Sequence, residues 1–436
     1  MSQREFYGWK LLCAVWVIVF IVLAFASYGS SVMLARMALD WHLTRQVAGQ
    51  PFAWYTVFSG AGALFTALLV RWMGVRRTVT LGCVLVALGA LAMATVVQSP
   101  RGAVLAFGAV VGLGVATGGP FGVQPGVVQW FVRRRALALA IAYSAGSVGG
   151  FVSTLLLSRV VASAHGNWRS GWWLFSGLAA FAAVVAAVFI RERPADLGQL
   201  PDGGAVPSAG DVRTAVRERT FITREQWSVA ELVRSGRFWI LVLALCGGSA
   251  GFTLFLAEGI LHLQDLGHPQ NVGALVIGIA TVSTLIGKLP LAGFGDRIDP
   301  RYIWAATMVV FGIGLVLAIH ARSDLIMYSF AVCIGFGFGG GLVCMMAVLS
   351  NYFGTRVFPA AAGLAATLNT GVSWFGPIIG GRIYDQFGSY APTFYTLAAW
   401  CFAGAIALAV VGQPHRGAAA APDALPAPAP GAPAQR

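Results

Sequence analysis

The strongest constraint in this sequence is a series of twelve apolar stretches, each long enough to cross a lipid bilayer as a helix. The hydrocarbon core of a bilayer is about 30 Å thick, and an α-helix crosses it in about 20 residues. Charged or turn-rich breaks bound the stretches near residues 11–35, 52–70, 78–98, 103–128, 136–160, 172–190, 238–262, 272–294, 302–320, 325–350, 359–382 and 392–412. Because backbone groups in lipid need hydrogen-bond partners within their own segment, the stretches predict an all-α membrane protein.

The composition supports the same class. Hydrophobic residues make up 58% of the chain and charged residues 10%, whereas soluble domains carry about 25% charged residues. The formal net charge of +13 would suggest a nucleic-acid partner in a soluble protein. In a membrane protein, basic residues held in cytoplasmic loops account for it. We therefore expect the lipid bilayer as the surroundings and no nucleic acid as a partner.

Several kinds of chemistry are not supported by the sequence. The six cysteines all fall inside apolar stretches and lack metal-ligand spacing. The apolar stretches hold no histidine cluster, no paired acids and no Ser–His pair at matching depth. The sequence thus predicts no metal, no cofactor and no enzymatic activity.

One long polar segment divides the stretches into two sets of six. It covers residues 191–237 and is rich in proline, glycine and arginine, while the last 24 residues are rich in alanine and proline. Segments of the latter composition bury no core and stay disordered. The predicted organisation is an N-terminal six-helix bundle at 1–190, a cytoplasmic linker at 191–237, a C-terminal six-helix bundle at 238–412 and a disordered tail at 413–436.

The charges of the loops predict the orientation. With an even number of helices both chain termini lie on one side, and that side carries the larger number of arginines. Basic loops stay in the cytoplasm, so both termini are expected there. The first apolar run is too long for a signal peptide and lacks a cleavage site of small residues. We expect a multi-pass protein of the cell (inner) membrane, in monomeric form.

Two loops repeat across the halves of the chain. The segment LLVRWMGVRR after the second stretch and the segment GFGDRIDPRY after the eighth place Arg71 opposite Arg297. An aromatic–Phe pair precedes Arg134 before the fifth stretch, and a similar pair precedes Arg356 before the eleventh. Two such halves, related by an axis along the membrane normal, rock about a site near the midplane. This architecture is typical of a secondary transporter.

The segment WFVRRRALALAIAYSAGSVGG at 130–150 resembles the helix-5 signature of one branch of the major facilitator superfamily, the monocarboxylate transporters and oxalate–formate antiporters. The segment YGW at 7–9 and the run at 287–297 are similar to further motifs of that superfamily. The resemblance covers about residues 7–412. It implies twelve transmembrane helices in two pseudo-symmetric six-helix bundles, and transport of small organic anions by alternating access.

The resemblance also implies a gate at the cytoplasmic ends of the helices. Its residues here are Asp296, Arg297, Arg71 and Arg134. The first-half loop has Val70 where the superfamily usually has an acid, so only the Asp296 loop carries the full charge pattern. We therefore expect an unequal gate.

Lys288 is the one cation predicted in the middle of a span. The other lysine, Lys10, lies at the edge of the first stretch. Lys288 comes two turns before Asp296, and two turns of helix measure about 11 Å. Charged residues at that depth usually face the bundle interior and mark a substrate path. The position also matches the helix-8 cation that, in the resembled branch, holds a substrate carboxylate, although a lysine extending to the interface is an alternative.

Further polar residues within the spans are candidates for the substrate site. The second cation of the oxalate exchangers corresponds here to Asn369. A single cation favours a monoanion, since a second carboxylate would lack a partner in low dielectric. The other candidates are Tyr28, Ser31, Gln124 and Tyr143, although buried hydroxyls and amides also bond neighbouring helices.

Glu258 is the one acid inside a predicted span, and it is the candidate for proton coupling. Proton symport generally needs a titratable group in the transport path. Glu258 lies toward the outer end of its stretch, where an interfacial position is the alternative. The sequence thus predicts a proton-linked carrier of a small, monocarboxylate-like organic anion. An anion exchanger and an exporter of other small molecules are the alternatives.

Overall fold

The computed structural model describes residues 6–132, 134–203, 221, 223, 227–295, 297–354 and 356–414. Twelve long helices run through this described part, and no strand occurs in it. Their bounds are α1 Gly8–Asp40, α2 and α3 together Arg45–Thr95, α4 Pro100–Trp130, α5 Arg135–Ser163, α6 Trp168–Phe189, α7 Gly236–Asp265, α8 Gln270–Gly287 continued by Leu289–Phe294, α9 Pro300–Ile319, α10 Asp324–Phe353, α11 Phe358–Phe387 and α12 Ala391–Val410.

The twelve helices confirm the predicted fold class. Within the described residues, ten of these helices are long and apolar enough to cross a membrane, judged by their length and composition alone. The remaining two are α2 and α11, which pack against each other. The start of α2 differs from the prediction. The sequence placed it after Pro51, whereas the helix begins at Arg45 and carries Pro51 inside it.

Several interruptions shape the helices. Gly74 separates α2 from α3 in a left-handed conformation with φ 84°, which glycine adopts without steric cost. A π-helical turn at Phe25–Gly29 interrupts α1, and an extended Gly119 interrupts α4. A π-helical stretch at Val104–Val111 also interrupts α4. Another break lies at Lys288 in α8, directly before a segment with Pro290 in its first turn. Proline lacks a backbone N–H and clashes with the preceding turn, so a helix that meets it breaks or bends.

Close packing of α10 against α8 depends on glycine. A Cβ atom at Gly335 would overlap the carbonyl oxygen of Ala280, and one at Gly339 would overlap that of Thr284. Small residues allow helix backbones to approach in this way. The glycines of α10 therefore hold α8 in place, and with it Lys288.

The two ends of the described chain and the described part of the segment between the halves lie on one face of the molecule. The backbone N–H of Tyr7 donates to Oε1 of Gln199, 3.0 Å away in that segment. At the other end of the chain, the carbonyl of Val411 accepts from Nη1 of Arg301 at the start of α9. We call this the linker face and the opposite one the far face.

The segment between α6 and α7 contains a short helix, Val229–Arg234. Ser228 caps it, since its hydroxyl accepts from the N–H of Glu231 and the Glu231 carboxylate accepts from the N–H of Ser228. The domain boundaries proposed at 190 and 237 stay a prediction. The predicted tail lies outside the described residues from 415 onward.

Candidate functional site

The two halves pack along three helix pairs, α1 with α7, α2 with α11 and α5 with α8. Along the antiparallel α5–α8 pair, a Cβ atom at Gly150 would lie 2.8 Å from the side chain of Thr281. One turn closer to the linker face, the hydroxyls of Ser147 and Thr284 lie 2.9 Å apart and share a hydrogen bond. Among the described residues, this is the last hydrogen bond between the halves in that direction.

Lys288 lies just beyond that point. It follows Thr284 by one turn of α8, and Tyr143 precedes Ser147 by one turn of α5, so the register of the pair puts Lys288 and Tyr143 at the same level. Lys288 is half-buried. Within the described part of the chain its amino group has neither a hydrogen bond nor an ion pair. A cation without a partner thus lies where the halves begin to separate.

The α2–α11 pair separates at a similar point. The rings of Trp54 and Trp374 pack edge to face with centroids 5.6 Å apart, and Gly60 lies directly against Thr370. Beside this contact, Oδ1 of Asn369 and Nε1 of Trp374 are buried without a hydrogen-bond partner. An unpaired buried polar atom costs about 1–3 kcal/mol. A polar ligand that pairs with Asn369 would recover part of this cost.

Closer to the linker face the same helices are exposed. Thr367 of α11 is exposed, and a Cβ atom at Gly363 would meet nothing within 4 Å. Phe65 of α2 is 50% exposed, and Leu289 of α8 is 62% exposed. The halves are therefore joined in their far-face part and separate toward the linker face.

The remaining predicted substrate residues fall in different places. Tyr28 lies in the π-helical turn of α1, and its ring would be 2.8 Å from a Cβ atom at Gly150, so it is at the crossing of α1 with α5. Ser31 is buried, and its hydroxyl donates to the carbonyl of Leu256 at 2.5 Å. Ser31 therefore joins α1 to α7. Gln124 is exposed in the linker-face part of α4.

The predicted gate residues of the linker face are exposed where the structure describes them, namely at Arg71, Arg134 and Arg297. Asp296 lies outside the described residues. Their role in gating stays a prediction.

A carboxylate that sequence reasoning missed lies beside the first-half loop. Glu192, just after α6, accepts hydrogen bonds from the backbone N–H groups of Val75 and Arg76, both at 2.9 Å. These are the first residues of α3, where the helix dipole favours a negative charge. The loop that has Val70 in place of an acid thus receives a carboxylate from a distant part of the chain.

On the far face, one arginine and two carboxylates join the halves. Asp385 of α11 accepts from the backbone N–H groups of Arg45 at 2.8 Å and Gln46 at 3.0 Å, and so caps the start of α2. Nη2 of Arg45 lies 2.7 Å from Oδ1 of Asp265 in α7. The guanidinium also lies over the ring of Tyr384, 4.9 Å from its centre. The N-terminus of α2 is therefore held by two helices of the other half.

Glu258 lies beneath this contact. The sequence left open an interfacial position, but the side chain is only 2% exposed. The hydroxyl of Tyr390 donates to Oε2 at 2.8 Å, while Oε1 is buried without a partner. Burial and the neighbouring carboxyl raise the pKa of Tyr390, which lies between α11 and α12, so its hydroxyl stays protonated and donates. A Cβ atom at Gly49 would lie 2.9 Å from Oε1, so the backbone of α2 covers the acid.

We call this set of residues the far-face gate. Its members are Arg45, Gly49, Glu258, Asp265, Asp385 and Tyr390. Sequence reasoning found only Glu258, because the others are ordinary residues at helix ends. No local pattern indicates that they meet.

The sequence model of a protein family, the Major Facilitator Superfamily, matches this chain over residues 16–278 and 250–434. The chain belongs to the major facilitator superfamily. Its fold is that of this family, and the protein is a transporter of the membrane, not an enzyme, as the sequence predicted.

The relatives confirm the resemblance to the monocarboxylate branch. Monocarboxylate transporter 13 of Bos taurus is 24% identical over 300 residues, which cover 68% of this chain and 64% of that protein. Monocarboxylate transporter 6 of Mus musculus is 23% identical over 385 residues, 84% of this chain and 79% of that one. Among solved structures, the nucleoside transporter NupG has a TM-score of 0.70 at 12% identity and covers 92% of this chain and 99% of its own. That likeness concerns the fold alone.

Proposed function

We propose that this protein carries a small, monocarboxylate-like organic anion across the membrane by alternating access, with linked proton movement. Lys288 is the observation that carries the proposal. A half-buried amino group without a partner, at the level where the halves separate, is suited to pair with an anion that enters from the open side. The monocarboxylate transporters among the relatives support the substrate class.

The pairing of one cation with one amide favours a monoanion. Asn369 and Lys288 lie where the α2–α11 and α5–α8 pairs separate. Within the described residues, neither Oδ1 of Asn369 nor the amino group of Lys288 has a hydrogen-bond partner. The unpaired atom of Asn369 is the acceptor Oδ1, which takes a hydrogen bond from a donor of the ligand and supplies no charge for a carboxylate. A second carboxylate would have no cation here and would pay its desolvation cost without compensation.

Glu258 is the proposed proton-coupling group. It is the buried carboxyl of the far-face gate, and its free oxygen has room for a proton but for little else. Arginines at the linker-face ends of the helices outnumber those at the far-face ends, which supports a cytoplasmic linker face with both termini inside.

The test is uptake of a labelled monocarboxylate into proteoliposomes under an imposed pH gradient. Lys288→Ala is expected to lower uptake about 10–100-fold, because a hydrogen bond to a charged group contributes about 1.5–3 kcal/mol. Lys10→Ala, which changes the other lysine at the edge of α1, is the matched control and is expected to transport like the parent. Equal uptake by Lys288→Ala and the parent would refute the role of Lys288.

Anion exchange is the second candidate, and one observation favours it. Glu258 is enclosed on the far side, so a proton on it has no direct route to the open linker face. Counterflow without a pH gradient separates the two functions. An exchanger runs at full rate on a trans anion alone and does not accumulate substrate under a pH gradient, whereas a symporter accumulates it.

A further inference from the structure

We propose that the far-face gate is a proton-binding site in its own right: Oε1 of Glu258 takes up a proton from the far-face solution, and the gate closes over the neutral carboxyl. The proposal rests on the alternating access proposed above, but it requires no particular substrate. It makes closure of the far face dependent on pH.

The contacts of Glu258 fit a neutral acid. An ionised carboxylate offers about four acceptor positions, yet within the described residues Glu258 receives one hydrogen bond, from Tyr390. Its other oxygen lies under the backbone of Gly49 without a donor. Burial of a charged group with so few partners is costly, and such groups neutralise instead.

The charges around Glu258 favour the same state. They come from each element packed against it: Arg45 of α2, His262 and Asp265 of α7, Tyr384 and Asp385 of α11, and Tyr390 of the loop before α12. The guanidinium of Arg45 is engaged by Asp265. The Nε2–H of His262 donates to the carbonyl of Ala318 at 2.8 Å. With Glu258 ionised, three carboxylates would share one guanidinium, and the neutral form reduces this excess.

Opening of the far face favours the ionised form of Glu258. When α2 leaves α7 and α11, Gly49 uncovers Oε1 and water hydrates the carboxylate, which then releases its proton. The closed gate therefore binds the proton more tightly than the open gate. By linkage, acid on the far face shifts the population toward the closed gate and alkali shifts it toward the open gate.

The experiment measures the opening of the gate directly, without substrate. Spin labels are attached after Ser163→Cys and Ser323→Cys, which change exposed residues at the far-face ends of the two halves, in a background with the exposed Cys13 replaced by serine. In the parent, the distance between the labels is expected to lengthen from acidic to alkaline pH. In Glu258→Gln, which is neutral at every pH, it is expected to stay short.

Asp40→Asn is the matched control, since Asp40 pairs with Arg36 within α1 and has no part in the gate. It is expected to keep the pH response of the parent. A parent distance that ignores pH, or a Glu258→Gln variant that still responds, overturns the proposal.

The parent protein alone also tests whether the closed gate holds a protonated carboxyl. Its infrared band of a protonated carboxyl is expected to disappear over the same pH range in which the distance lengthens. A band that persists after opening contradicts the proposal, even if Glu258→Gln does not fold. No substrate is present in the distance measurement. A failure of carboxylate transport in proteoliposomes therefore does not affect the conclusion about the gate, and a gate that ignores pH does not affect the conclusion about the transported substrate.

Discussion

The surroundings of Lys288 depend on its neighbours in the chain and on the helices that pack against α8. Pro290 breaks α8 directly after it, and Gly287 allows α8 to lie against the backbone of Phe336 in α10. The sequence predicted the depth of Lys288 from its distance of two helical turns to Asp296. It did not predict that the charge would lie at the last contact between α5 and α8, because that contact depends on side chains 137 positions apart.

Asn369→Lys tests the link between cation number and substrate charge. A second cation where the α2–α11 pair separates is expected to bring in dicarboxylates such as oxalate and to weaken monocarboxylate binding by about tenfold, since an unpaired buried ammonium is costly. The measurement is a thermal-shift panel of carboxylates on purified protein, because a bound ligand stabilises by mass action. Thr367→Lys, which changes an exposed residue of the same helix, is the control and is expected to keep the preference of the parent.

At the scale of elements, the packing of α10 is decided by its glycines. Cβ atoms at Gly335 and Gly339 would overlap carbonyl oxygens of α8, whereas Gly363 of α11 has open space around it. Spacing alone did not separate these cases, because it does not tell which face of a helix meets a partner.

Gly339→Ala is therefore expected to destabilise the protein. A methyl group in this contact forces the helices apart, and overpacking of this kind costs about 1–3 kcal/mol. The thermal unfolding midpoint in detergent is the measurement. Gly363→Ala is the matched control, and it is expected to leave the midpoint unchanged or to raise it, since alanine favours helix over glycine. Equal midpoints for both variants would show that the α8–α10 contact yields without cost.

At the scale of the whole molecule, the far-face gate holds the halves together while the linker face is open. Asp385 contributes most directly, since its two oxygens accept the first two backbone N–H groups of α2. A carboxylate at a helix N-terminus is stabilised by the unpaired N–H groups and the helix dipole. The cap belongs to the other half of the molecule, so it exists only in the closed gate.

Asp385→Asn is expected to weaken this cap and to shift the population toward an open far face. Loss of a helix N-terminal charge or cap costs about 0.5–2 kcal/mol. Hydrogen exchange of the amides at residues 45–50 is the measurement, and it is expected to become about 2–30-fold faster. Asp40→Asn again is the control. Unchanged exchange in Asp385→Asn would show that Arg45 and Asp265 hold the gate without the cap.

The sequence by itself determined the twelve helices, because hydropathy is a local property of about 20 consecutive residues. Their division into two sets and the intramembrane position of Lys288 stay predictions. The sequence also predicted the family through the motif at 130–150. Only the tertiary structure decided that Glu258 is enclosed, that Asp385 caps α2 and that Glu192 caps the start of α3. Each of these contacts joins residues more than 100 positions apart or buries a side chain between halves, and no local pattern of charge or apolarity records such a meeting.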